Sequence, residues 1–196
     1  TRQIVAYDPT GKAQVLAEDM PVNDLAVNVK GDLYFTDTAN KKVWLLPKGG
    51  TPRVVDEGIE SPNGVLFSPD QTLLYVSDYV GQLSWVFQIQ PDGSLAYKQR
   101  YFYVHMPDAA TRSSSDGMAV DAEGRVYIAT ALGVQVFDQI GKCHAIIPAP
   151  KLRRDVCHQR RQGLQAQDQG QGRPLVAPAD QAGAAAAVAP VSVGVR

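Results

Sequence analysis

Residues 63–78 read N-G-V-L-F-S-P-D-Q-T-L-L-Y-V-S-D, and this stretch decides the fold. Two short apolar runs flank a turn that contains proline and aspartate, which is typical of two strands joined by a tight connection. The same pattern occurs in residues 23–37, N-D-L-A-V-N-V-K-G-D-L-Y-F-T-D, and in residues 116–130, D-G-M-A-V-D-A-E-G-R-V-Y-I-A-T. The chain therefore contains three copies of one repeat.

The three copies align on a tyrosine with one inserted residue. This tyrosine follows Asn23 by eleven residues, Asn63 by twelve and Asp116 by eleven. Two further strand-like runs follow each pair, for example V-W-L-L-P and P-R-V-V-D after the first copy. Residues 1–150 lack the 3.6-residue periodicity of helices. Four strands per repeat predict an all-β fold built from the blades of a β-propeller.

Residues 2–18 are predicted to form the outer hairpin of a preceding blade, so that residues 1–150 would hold about three and a half blades. Closed propellers generally need four to eight blades, and an open one would expose unpaired strand edges. We therefore expect a partial propeller whose N-terminal blades precede Thr1. No signal peptide can be read from residues expected to precede Thr1, so the localisation is unknown.

Residues 151–196 differ from residues 1–150 in composition. A segment rich in Gln and Arg precedes one rich in Ala, with neither strand alternation nor helical amphipathicity. One interpretation is a disordered, low-complexity tail. The other is a shifted reading frame near residue 151, because residues 157–172 read one nucleotide later, with codons chosen freely, can spell V-T-S-G-D-K-V-Y-R-L-K-T-K-V-K. We predict the frameshift, which sequencing of the gene tests.

Composition and charge exclude several classes of partner. The chain is 44% hydrophobic, and its 19 basic and 20 acidic residues give a formal net charge of -1. It has no run of Lys and Arg suited to a phosphate backbone and no apolar stretch long enough to span a bilayer. We expect a soluble protein that binds neither nucleic acid nor membrane. Cys143 and Cys157 do not have the spacing of metal ligands, and the sequence neither requires nor excludes a disulfide between them.

The leading polar residues of the three copies, Asn23, Asn63 and Asp116, are candidates for a shared site. The first strand of a propeller blade lines the central channel, so equivalent positions just before it converge at one rim. Two carboxamides and one carboxylate suit Ca²⁺, whereas zinc would favour His or Cys. The alternative is that all three are ordinary turn residues. Asp37 and Asp78 are expected to bond the following turns and are left out of the site.

The segments at 61–78, 115–130 and 22–27, the last reading V-N-D-L-A-V, together resemble the SMP-30/gluconolactonase/LRE-like family of six-bladed propellers. The resemblance covers residues 1–150. It implies a divalent cation, usually Ca²⁺ with Zn²⁺, Mn²⁺ or Mg²⁺ as alternatives, bound by a first-blade Glu and by positions that match Asn63 and Asp116. Asn23 would complete the metal shell or hold substrate.

The family's E-G-P-like motif, which carries that Glu, has no match here. Glu18, Glu57 and Glu60 do not occupy the position of a repeat that corresponds to Asn23, Asn63 and Asp116. The expected metal site is therefore incomplete in this sequence, in keeping with the expected missing blades.

The function expected from this resemblance is metal-dependent hydrolysis of a sugar lactone or related lactone. Asp116, the only carboxylate among the three aligned positions, would be metal ligand and general base. Asn63 would hold the metal, and Asn23 would orient the substrate. Arg112 would contact a polyhydroxylated substrate, although a loop arginine is more often simply solvated.

Two rival functions use the same residues: a non-catalytic calcium-binding propeller, and a phosphotriester hydrolase on the same metal centre. A serine hydrolase built from His105 or His144 and the serines at 113–115 is improbable, because no G-x-S-x-G motif precedes a helix.

Overall fold

A computed structural model describes residues 2–149 and 192–195 of the chain. This part of the chain contains fifteen β-strands and no α-helix, and it accordingly offers no helix that could cross a membrane. The strands are β1 Gln3–Tyr7, β2 Ala13–Glu18, β3 Leu25–Val27, β4 Leu33–Asp37, β5 Lys42–Leu46, β6 Arg53–Glu57, β7 Pro62–Phe67, β8 Leu73–Asp78, β9 Leu83–Ile89, β10 Leu95–Tyr103, β11 Met118–Val120, β12 Val126–Thr130, β13 Gly133–Phe137, β14 Cys143–Ile147 and β15 Ser192–Val195.

Twelve consecutive strands form three four-stranded antiparallel sheets. The first blade is β3–β6, the second is β7–β10 and the third is β11–β14, and within each the strands are paired in chain order. The prediction of an all-β chain with propeller blades is confirmed. The predicted hairpin at residues 2–18 is β1 and β2, and it forms a fourth sheet in the order β15-β1-β2.

Four hairpin turns share one hydrogen-bonding pattern. The side-chain oxygens of Asp8, Asn28, Asp121 and Asp138 each accept bonds from the backbone amides two and four positions later, at 2.9–3.1 Å. The residue three positions later is a glycine with φ between 79° and 89°, a region that glycine enters without steric cost. These turns fix where each strand ends and the next begins.

The apolar core lies between successive sheets. Tyr34 of the first blade meets Phe67 of the second edge to face, with ring centroids 5.5 Å apart. In β8, Leu74 belongs to the core shared with the first blade, whereas Tyr75 belongs to the core shared with the third. Successive side chains of a strand point to opposite faces, so each blade is buried on both sides. β7 contacts both β3 and β11, which brings the first strands of the three blades together.

The sequence indicated no strand in residues 151–196, but β15 lies there at Ser192–Val195 and pairs antiparallel with β1. Valines at every second position from 191 to 195 give a strand pattern, and β1 offers its free edge as a partner. The predicted frameshift concerns residues that lie mostly outside the described part of the chain. The boundary at residue 150 stays a prediction.

Candidate functional site

The three predicted site residues lie at the starts of the first strands of the three blades. Asn63 is in β7 and is only 8% exposed, Asp116 precedes β11 and is half-buried, and Asn23 precedes β3 and is exposed. The Asn23 amide donates to the Thr36 carbonyl at 2.8 Å, and the Asp116 amide donates to the equivalent Ala129 carbonyl at 2.9 Å. The first and third blades therefore hold these two residues in the same backbone geometry.

All three blades have a bulge at this point, where two residues at the start of the first strand oppose one residue of the second. In the first blade, the Thr36 carbonyl accepts from the Asn23 amide while the Thr36 amide donates to the Asp24 carbonyl. The pairing of β7 with β8 shifts register between Pro62 and Val65, as is common beside functional sites. The Gly64 amide donates to the side-chain hydroxyl of Ser77 at 2.7 Å, and the same hydroxyl donates to the Asp116 carbonyl at 2.9 Å. One buried hydroxyl thus links the peptide that follows Asn63 to the carbonyl of Asp116.

Asp24 is a second carboxylate at this site. It does not emerge when only the leading residues of the repeats are compared, because it is the second residue of its repeat. Its Oδ2 accepts a bond from the Val65 amide of the second blade at 3.0 Å, and its Oδ1 accepts one from the Leu25 amide at 2.9 Å. Burial raises the pKa of Asp24, these bonds lower it, and the negative charge of Asp116 raises it further. A signal was present, since Asp24 stands where the other repeats have glycine.

The oxygen donors at this site fit a hard cation. Two carboxylates, Asp24 and Asp116, lie close enough to repel each other, and a cation would offset that repulsion. Together with the carboxamides of Asn23 and Asn63 they are the ligand types that Ca²⁺ accepts, whereas zinc prefers nitrogen and sulfur. Across residues 2–149, no three His, Cys, Asp or Glu side chains are grouped to hold a metal, so carboxamides would have to take part.

The three glutamates that do not align with the site positions of the repeats make contacts of another kind. Glu18 accepts a hydrogen bond from Gln3 at 2.8 Å, while Glu57 and Glu60 each form an ion pair with a lysine. Asp37 and Asp78 accept bonds from the turns that follow them, as predicted: Asp37 from the Asn40 amide, and Asp78 from the amides two and three positions later. These carboxylates therefore contact neighbouring turns and strands.

Arg112 lies exposed on the long connection between β10 and β11, with its guanidinium 5.4 Å from the ring centroid of Tyr79. The connection is fixed to the end of β8, because the Ser113 hydroxyl donates to the Asp78 carbonyl and the Ser114 amide donates to the Tyr79 carbonyl, both at 2.9 Å. Arg112 is therefore held beside the stretch that leads into Asp116. Its contact with substrate stays a prediction.

The hydrogen bonds around the histidines do not suit a serine hydrolase. The Ser113 hydroxyl is used by the Asp78 carbonyl, His144 Nε2 lies 2.6 Å from an Asp138 carboxylate oxygen, and the His105 ring packs against Tyr103. Within the described residues, no hydrogen bond joins one of these serines to a histidine. The nucleophile and base pair of a serine hydrolase requires such a bond.

Comparison with known proteins gives a family match over most of the chain. Residues 2–158 match the family model described as the SMP-30/Gluconolactonase/LRE-like region. The gluconolactonase of Zymomonas mobilis is 27% identical over 173 residues, covering 75% of this chain and 49% of that protein. The pentonolactonase XacC of Haloferax volcanii is 24% identical over 132 residues, covering 65% of this chain and 44% of that protein.

Solved structures give the same fold. The gluconolactonase XC5397 from Xanthomonas campestris superposes with a TM-score of 0.61 at 28% identity, covering 74% of this chain and 55% of that chain. Regucalcin from Agrobacterium tumefaciens, described as a calcium-binding protein, superposes with a TM-score of 0.57 at 22% identity, covering 69% and 50%. The chain spans about half the length of the curated relatives named above.

Proposed function

Because this chain belongs to the SMP-30/gluconolactonase/LRE-like family, we propose that the protein is a metal-dependent hydrolase that opens the ring of a sugar lactone or a related lactone. The names gluconolactonase and pentonolactonase, borne by relatives from Zymomonas mobilis and Haloferax volcanii, support this reaction class. The substrate is a small cyclic ester that carries hydroxyl groups, and Ca²⁺ is the proposed cofactor.

The observation that carries the proposal is the close approach of two blades at the site. Ser77 bonds both the Gly64 amide and the Asp116 carbonyl, so Asn63 and Asp116 are held in neighbouring backbone segments. Asp24 reaches across from the first blade to the Val65 amide and adds a carboxylate beside Asp116. These bonds bring the backbone segments that carry Asp24, Asn63 and Asp116 together where the first strands begin, which supports the proposal.

Asn23, Asn63 and Asp116 would hold the cation, with waters and substrate completing the six to eight oxygen ligands that Ca²⁺ takes. The chemistry that bound Ca²⁺ supplies is polarisation of the lactone carbonyl and stabilisation of the negative charge that develops on its oxygen. Asp24 contributes negative charge to the same site and remains anchored by two backbone amides.

The protein's own groups move the proton. The Asp116 carboxylate accepts a proton from water as the water oxygen bonds to the carbonyl carbon. The ring C–O bond then breaks, and the same proton passes to the departing ring oxygen, which becomes the hydroxyl of the open hydroxy acid. Water is consumed, one ester bond is lost, and Asp116 returns to its ionised form.

Substrate binding falls to side chains exposed at the rim. The carboxamide of Asn23 can both donate to and accept from sugar hydroxyls, since one end is an NH₂ group and the other a carbonyl. The Arg112 guanidinium offers donors alone, and its stacking on Tyr79 limits the orientations it can adopt. These groups favour a polyhydroxylated lactone over an unsubstituted one.

The test is hydrolysis of a panel of sugar and aliphatic lactones by the full-length protein, with Ca²⁺ and with a chelator. We expect Ca²⁺-dependent turnover that falls by about 100-fold or more in Asp116→Ala. Asp108→Ala is the matched control, because Asp108 is an exposed aspartate of the same connection and should leave turnover unchanged.

Asp116→Asn separates hydrolase from binding propeller. An amide keeps an oxygen ligand but cannot act as a base, so a hydrolase loses turnover far more than Ca²⁺ affinity. A folded protein that binds Ca²⁺ yet opens no lactone would refute the proposal, and turnover of phosphotriesters alone would replace it with the phosphotriester hydrolase.

A further inference from the structure

A hydroxyl side chain occupies the same repeat position in the first and second blades. Thr36 lies one residue before the end of β4, and Ser77 lies one residue before the end of β8. Both residues are completely buried. A buried hydroxyl is stable only when its hydrogen-bonding capacity is used, so the partners of these two groups are informative.

The two hydroxyls make the same pair of bonds. The Thr36 hydroxyl accepts from the Asp24 amide of its own blade at 3.2 Å and donates to the Asn63 carbonyl of the next blade. The Ser77 hydroxyl accepts from the Gly64 amide of its own blade at 2.7 Å and donates to the Asp116 carbonyl of the next blade. Each hydroxyl therefore joins the inner edges of two neighbouring blades.

The residues that receive these bonds are two of the candidate metal ligands. Two further bonds join the first and second blades here: the Asp24 carboxylate accepts from the Val65 amide at 3.0 Å, and the Thr38 hydroxyl donates to the Pro62 carbonyl at 2.5 Å. The third repeat has Ala129 at the equivalent position, which carries no hydroxyl. Among the three repeats, a hydroxyl at this position therefore occurs in the two whose bonds reach Asn63 and Asp116, the candidate metal ligands.

From these contacts we propose that Ser77 and Thr36 are positioning residues, whose hydroxyls set the separation of the blades at the site and thereby the placement of Asp116 and Asn63. The inference rests on the proposed function, since it is the binding of Ca²⁺ that requires those two side chains at a fixed separation. Neither hydroxyl touches substrate or takes a proton in the reaction.

Removing the Ser77 hydroxyl leaves the Gly64 amide and the Asp116 carbonyl without that partner, and the two backbone segments lose the group that bridges them. Partners that orient metal ligands typically contribute about 10- to 100-fold to metal affinity. Ser77→Ala is therefore expected to weaken Ca²⁺ binding by at least about 10-fold.

Ser84→Ala is the matched control. Ser84 is also a completely buried serine of the second blade, but its hydroxyl has no hydrogen-bond partner among the described residues. Both substitutions remove one buried hydroxyl from the same blade, and only one of them breaks the link between blades. Ser77→Thr serves as the rescue, because Thr36 shows that this repeat position accommodates threonine.

The measurement is Ca²⁺ titration by calorimetry on the full-length protein, at a temperature well below the unfolding midpoint of each variant. We expect a dissociation constant raised at least about 10-fold in Ser77→Ala, unchanged within about two-fold in Ser84→Ala and restored in Ser77→Thr. A purely structural hydroxyl would lower the unfolding midpoint and leave Ca²⁺ affinity of the folded protein unaltered. Thr36→Val against Thr36→Ser repeats the comparison at the other interface should Ser77→Ala not fold.

The outcomes separate this inference from the function on which it rests. Ca²⁺ binding by the unsubstituted protein with equal affinity in Ser77→Ala overturns the positioning role and leaves the hydrolase proposal standing. An unsubstituted protein that binds no Ca²⁺ at millimolar concentration overturns both.

Discussion

Replacing Gly64 with alanine should separate the second and third blades at the site. A Cβ at this position would lie closer than 3.0 Å to the Asp116 carbonyl oxygen, and 3.1 Å from the Ser77 hydroxyl oxygen. The first of these neighbours is backbone, so no side-chain rotation relieves the clash. The same substitution at Gly117, the equivalent glycine of the third repeat, meets no atom within 4 Å.

The size of the effect follows from that contact. Restoring an ordinary van der Waals distance requires the Asp116 carbonyl and Gly64 to move apart by about 1 Å, at the point where Ser77 links the two segments. Overpacking of this kind costs about 1–3 kcal/mol. In a chain of 196 residues that corresponds to an unfolding midpoint lower by roughly 2–12 °C. We also expect Ca²⁺ affinity to fall by about 10-fold or more, because a supporting contact of a ligand is displaced.

Thermal unfolding and Ca²⁺ titration of the Gly64→Ala and Gly117→Ala proteins test this reasoning side by side. Alanine restricts the unfolded chain equally at both positions, so the difference between the variants isolates the clash. Equal midpoints and equal Ca²⁺ affinities in the two variants would show that the blades do not approach each other as described.

Three further substitutions give distinct expectations. Lys98→Met removes the 2.6 Å ion pair with Asp56. Burial already raises the pKa of Asp56, and loss of the lysine would raise it further, so the folded protein is stabilised by this carboxyl below the ordinary pKa of 3.8 and loses that stability as the pH rises through the raised pKa. Chemical denaturation should therefore find a small loss of stability in the variant near pH 4 and the largest loss at pH 7. Tyr34→Phe removes the hydroxyl bond to the Gly93 carbonyl and should cost about 1 kcal/mol at pH 9. Burial raises the pKa of Tyr34 to about 12, so the stability of the unsubstituted protein falls by about 2 kcal/mol between pH 9 and pH 11.5. The Tyr34→Phe variant does not lose this stability and should therefore be the more stable protein, by about 1 kcal/mol, at pH 11.5. Arg112→Ala should raise KM several-fold for a polyhydroxylated lactone and leave KM for an unsubstituted lactone unchanged, and an equal rise for both would contradict the rim assignment.

The blades could be predicted because they depend on local signals. Alternating apolar residues and the turns at positions such as Asp121 and Asp138 act within a few residues of the chain, and the repeat brings the same signal three times. The turn-bonding roles of Asp37 and Asp78 were predicted on the same basis. Asn63 and Asp116 were predicted to be neighbours because they occupy equivalent positions in two successive repeats, and a propeller brings equivalent positions of its blades around one axis.

The contacts between blades could not be predicted from the same signals. Asp24 is anchored by the Val65 amide, which lies 41 residues further along the chain, and nothing in the pattern around Asp24 specifies that partner. The two bonds of Ser77 likewise depend on a bulge in β7, and a bulge leaves little mark in the alternation of apolar residues. β15 was overlooked because four strand residues lie in a segment of quite different composition.

Pairing of the strands in chain order also determines when the site can form during synthesis. Hydrogen bonds within a blade join residues close in sequence, so the strands of a blade can pair before the next blade, against which they pack, has been made. The strands of the first blade can pair once Glu57 has left the ribosome, before Asn63 has emerged from it. The site must wait until the third blade docks on Ser77. A nascent chain therefore pairs the strands of each sheet early and assembles the proposed cation site late.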